Sequence, residues 1–239
     1  MIGPMFGRID ARLYPANEST RGKCRPAMSL KRLLLIAGIA AVAIIAFEIW
    51  RGAPTDYVNL PPPATGPWVA FGDSLTEGIG AATGNDYPSL LGQALGKSIT
   101  NLGRSGDTTA SGLARIEEAA GQRPSVVLLC LGGNDALNGV PRSETFENLA
   151  AIIDRFHREG SFVVLIGVRS ASLRDRNEEH FARLAAEKRV FYIPDILRGV
   201  AFKPIYMADA IHPNDAGYQQ ITKRLEKLLR PLLPRLRAG

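Results

Sequence analysis

Five short runs of apolar, β-branched-rich residues recur after residue 68, alternating with stretches of helical spacing. The runs are Trp68–Phe71, Ser98–Asn101, Val126–Leu131, Phe162–Val168 and Val190–Ile193. The helical stretches are Tyr87–Leu95, Thr108–Ala120, Ser143–Glu159, Arg174–Lys188 and Asp215–Leu229. Runs that are apolar at nearly every position suit strands covered on both faces, and parallel neighbours need a crossover long enough to hold a helix. The pattern predicts an α/β fold, a three-layer α/β/α domain built on a five-stranded parallel sheet with right-handed crossovers. Such sheets bind ligands beyond the carboxyl ends of their strands. Those loops are therefore where chemistry has to be sought.

Strand one runs into Gly72-Asp73-Ser74-Leu75-Thr76-Glu77-Gly78, strand two into Asn101-Leu102-Gly103-Arg104-Ser105-Gly106-Asp107-Thr108, and strand three into Gly132-Gly133-Asn134-Asp135. Asp209-Ala210-Ile211-His212-Pro213 stands just before the last helical stretch. A serine hydroxyl is a weak nucleophile until an imidazole takes its proton, and a carboxylate that fixes the imidazole tautomer makes that transfer efficient. Asp209 and His212 lie on one turn, so the carboxylate can hold the inner ring nitrogen while the outer one faces Ser74. Pro213 biases His212 toward extended backbone, and Asn214 or Asp215 can cap the helix that follows. Attack on an ester carbonyl places negative charge on oxygen, which needs positioned donors. The candidates are the backbone amides of Ser74 and Gly106 and the side-chain amide of Asn134.

Each of these residues also has a plain structural role open to it. Ser74 can cap a helix, Gly106 can permit a turn with positive φ, Asn134 can close an Asx-turn, and His212 can be an ordinary surface histidine. Asp73, Asp107 and Asp135 are assigned to loop hydrogen bonding, and His157 and His180 to polar helical surroundings. Gly78-Ile79-Gly80-Ala81-Ala82-Thr83-Gly84 imitates a dinucleotide loop. Its spacing is one residue too long, and the second strand ends in Asn101 rather than an acid, so that reading is set aside.

Taken together, Gly72-Asp73-Ser74-Leu75, Ser105-Gly106-Asp107-Thr108, Gly132-Gly133-Asn134-Asp135 and Asp209 to His212 resemble the four sequence blocks of the SGNH or GDSL hydrolase family. The resemblance covers about residues 66–230, with the blocks in the family's order. Asn101–Ile116 and Leu131–Leu137 look most like its bacterial esterase, thioesterase and lysophospholipase branch. The resemblance implies a flavodoxin-like sheet in the order 2-1-3-4-5, catalytic Ser74, Asp209 and His212, and an oxyanion hole of Ser74, Gly106 and Asn134. It implies no cofactor. The scattered histidines offer no metal site.

Preceding this domain, Leu33–Phe47 is uncharged throughout, follows Lys31-Arg32 and is closed by Glu48, Ile49, Trp50 and Arg51. It is short for a full span and lacks a clean small-x-small cleavage site, so an uncleaved signal anchor is expected over a secreted, processed form or a buried helix. The expected organisation is a disordered basic segment at 1–29 with translation starting as late as Met28, an anchor helix at 30–51, a Pro-rich extended linker at 52–66, and the hydrolase domain at 67–239. The formal charge of +6 is mostly N-terminal: residues 1–32 carry a net +5, leaving about +1 for the remainder. A basic globular domain is thereby excluded, and nucleic acid with it as a partner. Of the two cysteines, Cys24 precedes the apolar run and Cys130 lies inside a strand, so no disulfide is expected.

The expectation is a membrane-anchored, extracytoplasmic serine esterase, with thioester cleavage as a side activity. Its partners are small-molecule esters or lipids, such as aryl esters, short-to-medium acyl esters or lysophospholipids, and the membrane through the N-terminal helix. A carbohydrate O-deacetylase with the same triad is the alternative enzyme. A catalytically silent binding module is the alternative outside catalysis.

Overall fold

The computed structural model describes residues 56–169 and 177–237. The segments expected at 1–29 and 30–51, Cys24, and the beginning of the stretch Arg174–Lys188 lie outside the described residues.

Strands β1 (Gly66–Gly72), β2 (Ile99–Gly103), β3 (Pro124–Cys130), β4 (Phe162–Ile166) and β5 (Phe191–Ile193) form one parallel sheet in the order β2-β1-β3-β4-β5. The helices are α1 (Ser74–Glu77), α2 (Tyr87–Leu95), α3 (Thr109–Ala114), α4 (Glu117–Ala120), α5 (Gly133–Leu137), α6 (Arg142–Arg158), α7 (Asn177–Lys188) and α8 (Asp215–Leu229). Each central strand feeds apolar side chains to both faces with the period of two that a pleated strand imposes. Ala70, Val126, Leu128, Val164 and Ile166 join Tyr87 and Leu91 of α2 and Tyr218, Ile221 and Leu225 of α8. Val69, Phe71, Val127, Leu129, Val163 and Leu165 join Leu149, Ile152 and Phe156 of α6 and Phe181 and Leu184 of α7. Two apolar layers thus sandwich the sheet, as the unbroken apolar runs require.

Strand register decides where the site can form. Gly72 pairs with Gly103 on one side and Cys130 on the other, so β1, β2 and β3 end level with one another. The three loops that follow them emerge side by side.

Two expectations need correction. Thr108–Ala120 is not one helix: α3 ends where Arg115 leaves helical geometry (φ −107°, ψ 14°), and its guanidinium turns into the protein. Residues 56–66 are not a free spacer. The Val58 amide donates to Arg189 O (3.0 Å), Asn59 Nδ2 donates to His157 O and Ser161 O (3.0 and 3.1 Å), and the Ala64 amide donates to Gly160 O (3.3 Å). The Tyr57 ring meets Phe162 and Phe191 edge-on at centroid distances of 6.0 and 5.7 Å. Proline-rich composition reads as linker because prolines cannot join a ladder, but their neighbours still find partners along the amino-terminal edge of the sheet.

Candidate active site

β1 ends at Gly72 and the chain turns directly into α1. Asp73 has extended backbone and caps this helix, its carboxylate accepting from the Leu75 amide at 3.0 Å. Ser74 is then the first helical residue, and a first-turn amide has no partner within its own helix. Among the described residues, neither the Ser74 amide nor the Gly106 amide has a hydrogen-bond acceptor. Behind the serine, Thr76 Oγ1 and Tyr87 OH share a buried hydrogen bond of 3.0 Å. Cys130 is a free, fully buried thiol whose pKa burial pushes well up, an inert core residue as expected.

The histidine arrives on a tight loop before α8. Asp209 Oδ1 accepts from the Ile211 and His212 amides (2.8 and 2.7 Å), while Oδ2 lies 2.7 Å from His212 Nδ1. His212 Nε2 lies 3.0 Å from Ser74 Oγ. Ser74, His212 and Asp209, predicted from separate parts of the sequence, therefore form one chain of hydrogen bonds. The bond from His212, followed by those from the two amides, holds the Asp209 carboxyl down at about 2. It is anionic throughout the neutral range. Asn214, one of the two expected caps, accepts from the Gly217 amide at 3.0 Å.

Asn134 lies at the start of α5 and donates through Nδ2 to Asp107 O at 2.8 Å, which joins the third loop to the second. It lines an open cleft together with Asp73, Ser74, Arg169 and His212; the apolar lining is Leu75, Leu137, Val168, Leu197 and Ile211. Gly106 stands on the exposed rim at φ +83°, outside that lining but beside the carbonyl that Asn134 engages. The positive φ expected of a turn glycine is present, and its unpaired amide is left over for a ligand.

The aspartates beside the blocks do bond loops together, as expected. Asp135 accepts from the Thr109 amide and hydroxyl at 2.9 and 2.5 Å, and Asp107 pairs with Arg115 at 2.6 Å. Asp73 carries a further property: burial, reinforced by the nearby Asp107 charge against the Leu75 amide, pushes it up to about 7. The His180 ring lies tilted against Phe146 (centroids 5.3 Å), outside the residues lining this cleft, while burial lowers His157 to about 4, so His157 is less polar in setting than its helix implied.

Two supporting elements were missed in the sequence. The glycine-rich decoy Gly78–Gly84 braces the histidine loop: a Cβ at Gly80 would lie 2.4 Å from Pro213 O and 3.3 Å from His212 Cβ. Tyr218 OH donates to Ile79 O at 3.0 Å, and the Ala82 amide donates to Asp215 at 2.7 Å. Arg115 is the other, and in the sequence it looks like any cation of a helical stretch. Among the described residues, no group of three or more His, Cys, Asp or Glu side chains is placed to hold a metal ion.

Residues 70–220 match the model of the GDSL-like lipase/acylhydrolase family. Esterase TesA of Pseudomonas aeruginosa is 32% identical over 177 residues, covering 69% of this chain and 88% of the relative. The Escherichia coli K12 protein named thioesterase 1/protease 1/lysophospholipase L1 is 33% identical over 174 residues, covering 69% and 84%. A crystal structure of TesA superposes with a TM-score of 0.64 at 32% identity, covering 69% of this chain and 98% of its own. With three blocks at level strand ends, the Asp209–His212 loop brought against them and these relatives spanning the same domain, the chain belongs to the GDSL-like lipase/acylhydrolase family, the SGNH hydrolases.

Proposed function

We propose that this chain is a serine carboxylic ester hydrolase whose nucleophile is Ser74. The observation that carries the reading is the hydrogen-bonded chain from Ser74 Oγ to His212 Nε2 (3.0 Å) and from His212 Nδ1 to Asp209 (2.7 Å). Ser74 Oγ attacks the acyl carbonyl while His212 Nε2 takes its proton, and Asp209 steadies the imidazolium. The amides of Ser74, Gly106 and Asn134 receive the oxyanion. Collapse expels the alcohol, which takes the proton from His212, and leaves an acyl-enzyme. Water, deprotonated by the same imidazole, then releases the acid and restores Ser74.

The apolar lining of the cleft supports an acyl chain over the polar ring of a sugar, so aryl esters, short-to-medium acyl esters and lysophospholipids are the substrate classes of this reading. Esterase and lysophospholipase relatives support the same range, and the E. coli relative's name adds thioesters. The enzyme acts outside the cytoplasm, held to a membrane by the segment around Leu33–Phe47. The uncharged run preceded by Lys31-Arg32 supports this placement.

The test of function is Ser74→Ala with p-nitrophenyl butyrate and lysophosphatidylcholine as substrates. Hydrolysis falls to background while the thermal midpoint stays within a few degrees; surviving turnover would remove Ser74 from its role. Fractionation of expressing cells tests the location: the protein stays with membranes through a salt wash, and a soluble mature form beginning after Phe47 would refute the anchor.

A further inference from the structure

The turn that bears the unpaired Gly106 amide is fastened on both sides. On one side the Ser105 amide donates to Glu77 Oε2 at 2.5 Å. On the other, Asp107 accepts from Arg115 Nε at 2.6 Å through its side chain and from Asn134 Nδ2 at 2.8 Å through its carbonyl. Arg115 does more than pair with Asp107. Its Nη2 donates to Gly72 O and to Leu102 O, both at 3.0 Å, and its guanidinium lies 4.2 Å from the centroid of the Phe71 ring. One side chain therefore ties together the end of β1, the end of β2 and the Gly106 turn.

Among the described residues, Arg115 is the one lysine or arginine that is buried, at 8% exposure. A cation is costly to remove from water, and the cost is offset only where its donors are matched in geometry as well as charge. Here the matching acceptors are the Asp107 carboxylate and the backbone carbonyls of Gly72 and Leu102, from which the catalytic loops depart. Gly72 O precedes Ser74 by two residues, and Asp107 directly follows Gly106.

We propose that Arg115 is a positioning residue for oxyanion stabilisation. It sets the Gly106 amide and the Asn134 side-chain amide at a fixed distance from Ser74 without touching substrate itself. The inference rests on the Ser74 hydrolase reading above. Lysine cannot replace it, because a single ammonium lacks the planar fork that reaches Asp107, Gly72 and Leu102 at once. A residue that merely held the fold together would lower stability and leave each correctly folded molecule at full rate. A residue that positions the donors lowers the rate per folded molecule, and its effect shrinks once one of the donors it serves is gone.

The test uses the full chain, with active sites counted by fluorophosphonate titration so that kcat refers to competent Ser74 alone. Arg115→Lys lowers kcat for an aryl ester by at least about tenfold, with KM within about threefold, as expected when transition-state stabilisation is lost. Affinity for a trifluoromethyl ketone, whose adduct on Ser74 carries an oxyanion, falls in parallel. In a cycle with Asn134→Ala, which removes one of the two donors served, the double variant loses clearly less than the product of the two single losses. Unchanged kcat per titrated site, or losses that multiply in the double variant, overturn the proposal. Should Arg115→Lys fail to fold, Asp107→Asn, which keeps an acceptor oxygen and removes the charge, carries the same cycle and is judged by the same outcomes. Failure of the hydrolase reading is separately visible, because hydrolysis by the parent chain would then survive Ser74→Ala.

Discussion

Asp73→Asn should stabilise the protein, and the gain should grow with pH. Asp73 is 1% exposed and titrates at about 7, because burial disfavours its anion more than the Leu75 amide favours it. A carboxyl whose pKa is raised on folding binds its proton more tightly in the native state. Stability is then fullest below the unfolded pKa and falls as pH rises through the folded one. With 3.8 unfolded and about 7 folded, the penalty relative to a neutral isostere is on the order of 2 kcal/mol at pH 5 and 4 kcal/mol at pH 8. Asparagine keeps the oxygen that caps α1 and carries no charge. Any difference in its packing is the same at both pH values and cancels, leaving a widening of roughly 2–3 kcal/mol between pH 5 and pH 8. For a domain of this size that corresponds to a relative gain of roughly 5–10 °C in thermal midpoint. Paired thermal melts of parent and variant, followed by circular dichroism at pH 5, 6, 7 and 8, measure it directly. A midpoint difference that stays constant across the series, or that shrinks toward pH 8, would refute the argument that Asp73 is buried at an energetic cost in its charged form.

Three further outcomes follow from the geometry. Asn134→Ala should lower kcat by about 10²–10³ while KM moves little, since its amide acts on the developing oxyanion; a change confined to KM would make Asn134 a substrate-binding group instead. Gly80→Ala should cost about 10–100-fold in kcat, because the added Cβ would lie 2.4 Å from Pro213 O and displace the loop bearing His212; stopped-flow hydrolysis at the parent rate would show that the loop yields without moving the imidazole. Tyr57→Ala should destabilise the domain by roughly 1–3 kcal/mol through loss of its edge-on contacts with Phe162 and Phe191. Urea titration checks this, and an unchanged midpoint would mean that residues 56–66 do not contribute to the folded domain.

Much of the architecture was legible because strand burial on two faces leaves a direct trace: the runs around Val126–Leu131 and Phe162–Val168 are apolar at successive positions, and only a sheet covered by helices uses them all. The chemistry was legible for a related reason. Loops at strand ends are short, so Ser74, Gly106 and Asn134 stand within a few residues of the strands that place them, and the i, i+3 spacing of Asp209 and His212 lets one carboxylate hold both ring and backbone. What the sequence could not disclose are partners distant along the chain. Arg115 looks like any cation in a helical stretch until the level ends of β1 and β2 present Gly72 O and Leu102 O to it. Gly80 looks like a loop glycine until α8 brings Pro213 against it. Composition marks 56–66 as linker until Arg189, His157 and Gly160 supply its hydrogen bonds. Local sequence determines which residues can react, since side-chain chemistry and turn geometry are properties of short segments. Which residues hold them in place depends on desolvated contacts between remote segments, and those exist only once the sheet has assembled.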